Sequence, residues 1–148
     1  MFRLPVTSRL EVWKKFRHSL NKLCLEDALK ATVDFWHPCP FTPHYLDTDN
    51  VQSWPDPWTL IDENYYCDLA KALGIVYTLH LSDHKNSLEF EIRRYKDTKP
   101  GLIYNLVYLN SGKYVLNLID GEVVNNTSID KKLKLIRSWS SELNLHQY

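Results

Sequence analysis

Glycine is scarce in this chain: four glycines occur among 148 residues, and none stands in a GxGxxG or GxxxxGK pattern. The sequence therefore gives no sign of a phosphate-binding loop. The three cysteines are an odd number without CxxC spacing, which argues against a disulfide framework. No apolar run reaches about 18 residues and no signal-peptide core opens the sequence, so we expect neither membrane insertion nor signal-directed secretion.

Basic residues are missing between Lys30 and Lys71, although the formal net charge is zero. Residues 1–24 carry six basic groups against one acid, residues 25–70 nine acids against one lysine, and residues 71–148 eleven basic groups against eight acids. A neutral total disfavours a nucleic-acid binder, whose surface would be basic. The segregation indicates either internal pairing of the first helix with the acidic stretch or faces that meet neighbouring subunits.

Apolar spacing predicts three helices in the first half of the chain. The first carries one apolar stripe and begins at a capping box formed by Ser8 and Glu11. The second spans about Leu25–Trp36 and ends before a proline. The third, the most apolar, spans residues 65–81 with Asn64 as its N-cap, and we expect it to be central.

The second half of the chain changes to a period of two, which is typical of strands. Residues 88–93 alternate, residues 102–109 read as a buried central strand, and hairpin signals surround a third strand at residues 113–119. A short fourth strand at residues 122–124 and a last helix at residues 129–143 complete the pattern. The predicted fold is α+β: an N-terminal helical pair and a central helix packed on a three- to four-stranded antiparallel meander, with a C-terminal helix.

We interpret the 148 residues as a single domain: a helical pair at 1–36, a proline-rich arm at 37–57, and a helix-plus-meander core at 58–148. The arm holds five of the seven prolines, and so long a connection without secondary structure is often functional. Its aromatic side chains either cover the edge of the core or anchor a protein interface. The candidate interface residues are Trp54, Trp58, Tyr45, Arg9, Lys14, Lys15, Asp47 and Asp49.

Cys67 stands near the start of the predicted central helix. A thiol at this place faces free backbone N–H groups and the positive end of the helix dipole, which stabilise a thiolate. A buried structural cysteine is the alternative reading, because free cysteine often packs as a small apolar residue.

A cysteine at a helix start, followed by antiparallel strands, resembles the papain-like and transglutaminase-like core over residues 64–124. The resemblance implies a histidine on a strand after the helix and an aspartate or asparagine on the next strand. Asn105 stands at the histidine position, and the next strand offers Asn117 or Asp120. Since an asparagine cannot accept a proton from a thiol at neutral pH, the resemblance implies a degenerate core without its general base.

Three stretches also resemble small proteins of tailed bacteriophages: YCDLAKALGIVYTLHL at residues 66–81, KYVLNLIDGEVV at 113–124 and WPDPWTL at 54–60. This resemblance implies a phage accessory or virion component. It assigns no role to an individual residue.

Metal-ligand types occur together in the arm at His37, Cys39 and His44, with Asp47 and Asp49 nearby. The spacing fits no zinc template, so we predict no metal site and no cofactor.

The sequence favours a non-catalytic structural or interaction protein, a tailed-phage virion component of the tail, baseplate or neck. Its expected partners are other protein subunits, either virion proteins or further copies of itself, with no direct nucleic acid and no membrane. The expected location is the virion or the host cytoplasm. One alternative is a papain- or transglutaminase-like cysteine hydrolase or transferase that uses Cys67, and another is a phage-encoded inhibitor of a host defence factor.

Overall fold

The computed structural model describes residues 1–98 and 101–148, and within them helices precede an antiparallel sheet. The sheet order is β3-β2-β1-β4, and the predicted α+β class is confirmed. None of the helices in these two ranges is long and apolar enough to cross a bilayer. The elements are α1 (Val6–Leu20), α2 (Leu25–Trp36), α3 (Pro57–Glu63), α4 (Asp68–His80), β1 (Phe90–Asp97), β2 (Ile103–Leu109), β3 (Tyr114–Leu116) and β4 (Leu133–Trp139).

A buried hydroxyl joins the three long helices. The indole N–H groups of Trp13 on α1 and Trp36 on α2 both donate to Thr78 Oγ1 on α4, at 3.0 and 2.9 Å. The Thr78 hydroxyl in turn donates to the carbonyl of Gly74, at 2.7 Å. A Cβ at Gly74 would lie 2.3 Å from the ring of Trp36, so the close approach of α2 to α4 requires glycine at that position.

The sheet carries apolar side chains on both faces. Ile92 and Val107 are fully buried in the main core, which they share with α4. On the other face a smaller buried cluster lies under side chains from residues 118–133, and it consists of Tyr95, Leu106, Tyr108 and Val115. The strand β2 therefore lies inside the sheet with both faces covered, which confirms the predicted central strand.

The predicted C-terminal helix at residues 129–143 is wrong. This segment forms β4, which pairs antiparallel with β1 at the edge of the sheet. Leu133 and Ile136 share a helical spacing with Ile129, but pairing with β1 supplies backbone hydrogen bonds that override this local pattern. The register shifts between Arg94 and Tyr95, so that Ile136 is an extra, bulged residue on β4.

The N-terminal boundaries of two helices also differ from prediction. No side chain caps α1, which begins at Val6 after Pro5, so Ser8 and Glu11 form no capping box. Asn64 does not open the central helix. It ends α3 in a left-handed conformation (φ 60°).

The central helix begins three residues later than predicted, at Asp68, with Cys67 as its N-cap. The predicted fourth strand at residues 122–124 is also wrong, since Val124 forms only an isolated bridge to Val115. The second helix lies where the sequence places it.

We expect Thr78→Val to lower the free energy of unfolding by about 2–4 kcal/mol, because two buried indole N–H groups lose their acceptor while the side-chain shape is kept. Thr78→Ser keeps the hydroxyl and should cost less. Urea denaturation of the three proteins measures the difference. Equal stabilities for the valine variant and the starting protein would contradict the role of this hydroxyl.

Val107→Asp places a charge without a partner between the sheet and α4, and should destabilise the fold by about 3 kcal/mol or more. Ile136→Asp is the matched control, because Ile136 is 51% exposed at the bulge. Thermal unfolding should give a clearly lower melting temperature for Val107→Asp than for Ile136→Asp. An unchanged melting temperature for Val107→Asp would contradict the place of β2 in the core.

Candidate functional site

A cleft of about 260 Å³ lies where the N-terminus of α4 meets the arm and the sheet. Its apolar walls come from the arm and from β2, and its polar groups come from α4, β1, β2 and the arm. The lining residues with functional chemistry are His44, Thr48, Cys67, Asp68, Arg94 and Asn105. Cavities of about 440 and 610 Å³ lie beside the C-terminal segment, and no cysteine is among their described lining residues.

Cys67 lies in this cleft as the N-cap of α4. Its sulfur accepts the backbone N–H of Ala70 at 3.4 Å, and the residue is 8% exposed. The arm reaches the same place through backbone contacts with Tyr66. Phe41 forms a β-bridge with Tyr66, and the N–H of Thr42 donates to the Tyr66 carbonyl at 2.9 Å. Backbone contacts thus hold the arm directly beside the thiol.

Asp68, the first residue of α4, is the centre of a hydrogen-bonded array. Its Oδ2 accepts the backbone N–H of Asn105 at 2.8 Å and the side-chain amide of Asn105 at 3.0 Å. Its Oδ1 accepts the amide of Asn117 at 3.2 Å, and that amide also donates to the Asn105 carbonyl at 2.9 Å. Asn117 adopts a left-handed conformation (φ 70°) directly after β3.

Asn105 also links the array to β1, because its Oδ1 accepts Nη1 of Arg94 at 3.0 Å. The structure therefore places Asn105 against Asp68 and Arg94. We call Asp68, Asn105, Asn117 and Arg94 the polar array. It crosslinks the helix N-terminus to β1, to β2 and to the end of β3.

His44 is the histidine that lines the cleft among the described residues. It is exposed on the arm and has a positive φ of 58°. Sequence reasoning considered His44 only as a metal ligand, since it lies 23 positions before Cys67 and outside the strands. His80, at the other end of α4, has its pKa lowered by burial and lies away from the thiol.

Asp120 lies outside the cleft. It is an exposed residue whose Oδ1 accepts Nζ of Lys71 at 3.3 Å, and its Oδ2 lies 3.9 Å from Nδ1 of His37. Cys39 is near this group, and burial raises the pKa of its thiol to about 11. Of the two sequence candidates on the next strand, Asn117 is the one in the polar array.

Three of the residues predicted to form an interface make contacts within the chain instead. The Trp54 indole donates to the carbonyl of Asp47 at 2.7 Å, and its ring meets Trp139 edge-on at 5.2 Å. Asp49 pairs with Arg137 at 3.0 Å. These contacts hold the arm against β4.

The remaining interface candidates lie around α1 and α3. Arg9 donates to the carbonyls of residues 61 and 62 at the end of α3. Lys15 lies 3.8 Å from Glu11, and Lys14 is exposed. Trp58 is 46% exposed. Its ring and the ring of Tyr45 each pack edge-on against a tyrosine. A partner for this surface stays a prediction.

No group of three His, Cys, Asp or Glu side chains in residues 1–98 and 101–148 could hold a metal ion. His37, Cys39 and His44 therefore do not combine as ligands.

Solved structures of LapG from Legionella pneumophila resemble this fold. One matches with a TM-score of 0.72 at 15% identity, covering 92% of this chain and 76% of LapG. An EGTA-treated form gives 0.72 at 15% identity, covering 92% and 74%. A calcium-bound form gives 0.65 at 14%, covering 94% and 78%. No protein-family model matches the chain, and a search of curated proteins gives no match.

At 15% identity the likeness shows the fold alone, and at that level it supports the predicted transglutaminase-like core. The expectation of a non-catalytic phage virion component is wrong, because the solved structures that share this fold are those of LapG from Legionella pneumophila and not those of phage virion proteins. The short stretches that resemble phage proteins are therefore no guide to function.

We expect the half-buried Cys39 to react more slowly with iodoacetamide than the exposed Cys24. Only a thiolate reacts, and burial raises the pKa of Cys39 to about 11. Its labelling rate should rise about tenfold per pH unit between pH 8 and pH 10. Mass spectrometry of the labelled native protein measures both rates, and equal rates at pH 8 would contradict the raised pKa of Cys39.

Proposed function

We propose that this chain is a cysteine hydrolase or transferase of the papain and transglutaminase type, with Cys67 as its nucleophile. One observation carries the proposal: Cys67 at the N-cap of α4 and His44 on the arm line the same cleft. The likeness of the fold to LapG supports it.

The arm supplies the base that the strands lack. His44 takes the proton from the Cys67 thiol, because imidazole is the side chain that exchanges a proton near neutral pH. The sulfur attacks a carbonyl carbon of the substrate, forming a carbon–sulfur bond while the carbonyl π electrons move to oxygen. The intermediate then collapses, the carbon–nitrogen bond breaks, and the amine leaves with the proton from His44.

The second half of the reaction frees the enzyme. Water, or an amine in a transferase, attacks the thioester carbon and gives a proton to His44. The carbon–sulfur bond breaks, and the proton returns to Cys67. The chemistry needs no co-reactant beyond the acyl donor and the acceptor.

The first turn of α4 stabilises the negative oxygen of the intermediate. The first N–H groups of a helix have no partner within the helix, and here they belong to Asp68 and Leu69 beside the thiol. Donors fixed by a helix need no reorganisation when the charge forms.

Asp68 has a positioning role in this proposal. Its two oxygens accept three hydrogen bonds from Asn105 and Asn117, so they are directed at the strands. A carboxylate held in this way fixes the start of α4, and with it the place of Cys67. The general base is therefore His44.

We expect p-nitrophenyl acetate to acylate Cys67 of the native protein, and Cys67→Ala to abolish this acylation. His44→Gln should slow the acylation rate about 100-fold, the lower range for general-base catalysis. Release of p-nitrophenolate in a stopped-flow instrument gives the rate. Mass spectrometry of proteolytic fragments gives the acylated residue.

Cys24→Ala and Cys39→Ala are the matched controls, because each removes a thiol outside the cleft. Both should react like the starting protein. Acylation that appears at Cys24 in place of Cys67, or a rate that His44→Gln leaves unchanged, would reject the proposed pair.

A further inference from the structure

Arg94 brings a positive charge into the cleft without a carboxylate partner. Among the described residues no carboxylate oxygen lies within 4.0 Å of its guanidinium. Its neighbour Arg93 is different, since Arg93 pairs with Glu91 at 2.7 Å and lies over the ring of Tyr108. Only Arg94 of this pair lines the cleft.

The polar array fixes the direction of this charge. The Asn105 amide nitrogen donates to Asp68, so the amide oxygen must face the other way, where it accepts one N–H of Arg94 at 3.0 Å. A guanidinium has five N–H groups, and the remaining ones are suited to a two-point bond with a carboxylate.

The surroundings strengthen such a bond. Apolar side chains form the walls, namely Phe41, Pro43, Leu46 and Ile103, and less water near a charge pair means less screening. Among the described residues that line the cleft, Asp68 alone has a carboxylate. Its oxygens already accept three hydrogen bonds. That engagement limits its competition with an incoming carboxylate.

We propose that Arg94 binds a carboxylate of the substrate, so that the cleft selects acyl donors with a carboxylate next to an apolar residue. As a statement about substrate choice this rests on the proposed function of Cys67. The carboxylate belongs to an aspartate or glutamate side chain or to the free C-terminus of a peptide, and the chemistry that Arg94 recognises is the same.

Binding of three peptides to the Cys67→Ala protein tests this proposal without catalysis. The peptides are acetyl-Leu-Asp-Leu-amide, acetyl-Leu-Asn-Leu-amide and acetyl-Leu-Asn-Leu with a free C-terminus, titrated by NMR into the millimolar range. We expect at least one of the two carboxylate peptides to bind about tenfold more tightly than the neutral one, the gain of one charge-assisted contact. Which of the two binds more tightly identifies the source.

Arg94→Gln in the same background should remove this preference, and Arg94→Lys, which keeps the charge without the fork, should keep part of it. Lys96→Gln is the matched control, because it removes a positive charge from β1 at an exposed position that does not line the cleft. It should keep the full preference. Thermal unfolding confirms that each variant is folded.

Equal affinities for the three peptides, a preference that survives Arg94→Gln, or no binding at all would overturn the carboxylate site. The proposed function fails separately, through acylation of the native protein. A protein that binds the aspartyl peptide through Arg94 but is never acylated at Cys67 would keep the carboxylate site and lose the reaction.

Discussion

The hydroxyl of Thr78 sets the arrangement on which the rest of the molecule depends. It accepts two indole N–H groups, from Trp13 and Trp36, so both tryptophans find their polar partner at one point of α4. Because Gly74 lies one turn earlier, α2 can approach until its tryptophan ring contacts the α4 backbone. The helices are held by a shared acceptor in an otherwise apolar core, where an unpaired N–H would cost far more than the bond itself contributes.

The other end of α4 is fixed in a different way. There the polar array ties the helix start to three segments of the sheet. The half-buried carboxylate of Asp68 is tolerated because it accepts three hydrogen bonds. A helix clamped at both ends presents its first turn at a fixed height above the sheet. The cleft owes its form to this clamp and to the arm, which backbone bonds hold beside Tyr66.

The sequence predicts those features that depend on local pattern or on a short range of residues. The second helix and the buried β2 follow from apolar spacing and, for the helix end, from proline position. The start of α4 differs from the prediction because asparagine suits an N-cap as well as the left-handed C-cap that Asn64 forms. The segment at residues 129–143 differs from the prediction because its apolar residues fit the period of a helix as well as that of a strand. Pairing with β1 decides for the strand.

Only some of the cleft residues can be predicted from the sequence. Cys67 and Asn105 follow from a helix followed by strands, and the resemblance to a known core placed them near one another. His44 has no such signal, since an irregular arm brings it to the thiol through contacts that no periodicity encodes. The hydrogen bonds between Asn105 and Asp68 depend on the direction of the Asp68 side chain at the start of α4. An error of one residue in the predicted helix start changes that direction, so the sequence does not predict these bonds.

The bulge at Ile136 disfavours edge-to-edge association of this protein at high concentration. A regular outer strand offers an even ladder of N–H and C=O groups on which a further chain can polymerise. Here the extra residue breaks the ladder in the middle of β4, and Lys134 adds an exposed charge to this edge. The two exposed apolar side chains at the bulge, Leu135 and Ile136, are therefore poorly placed to seed fibrils.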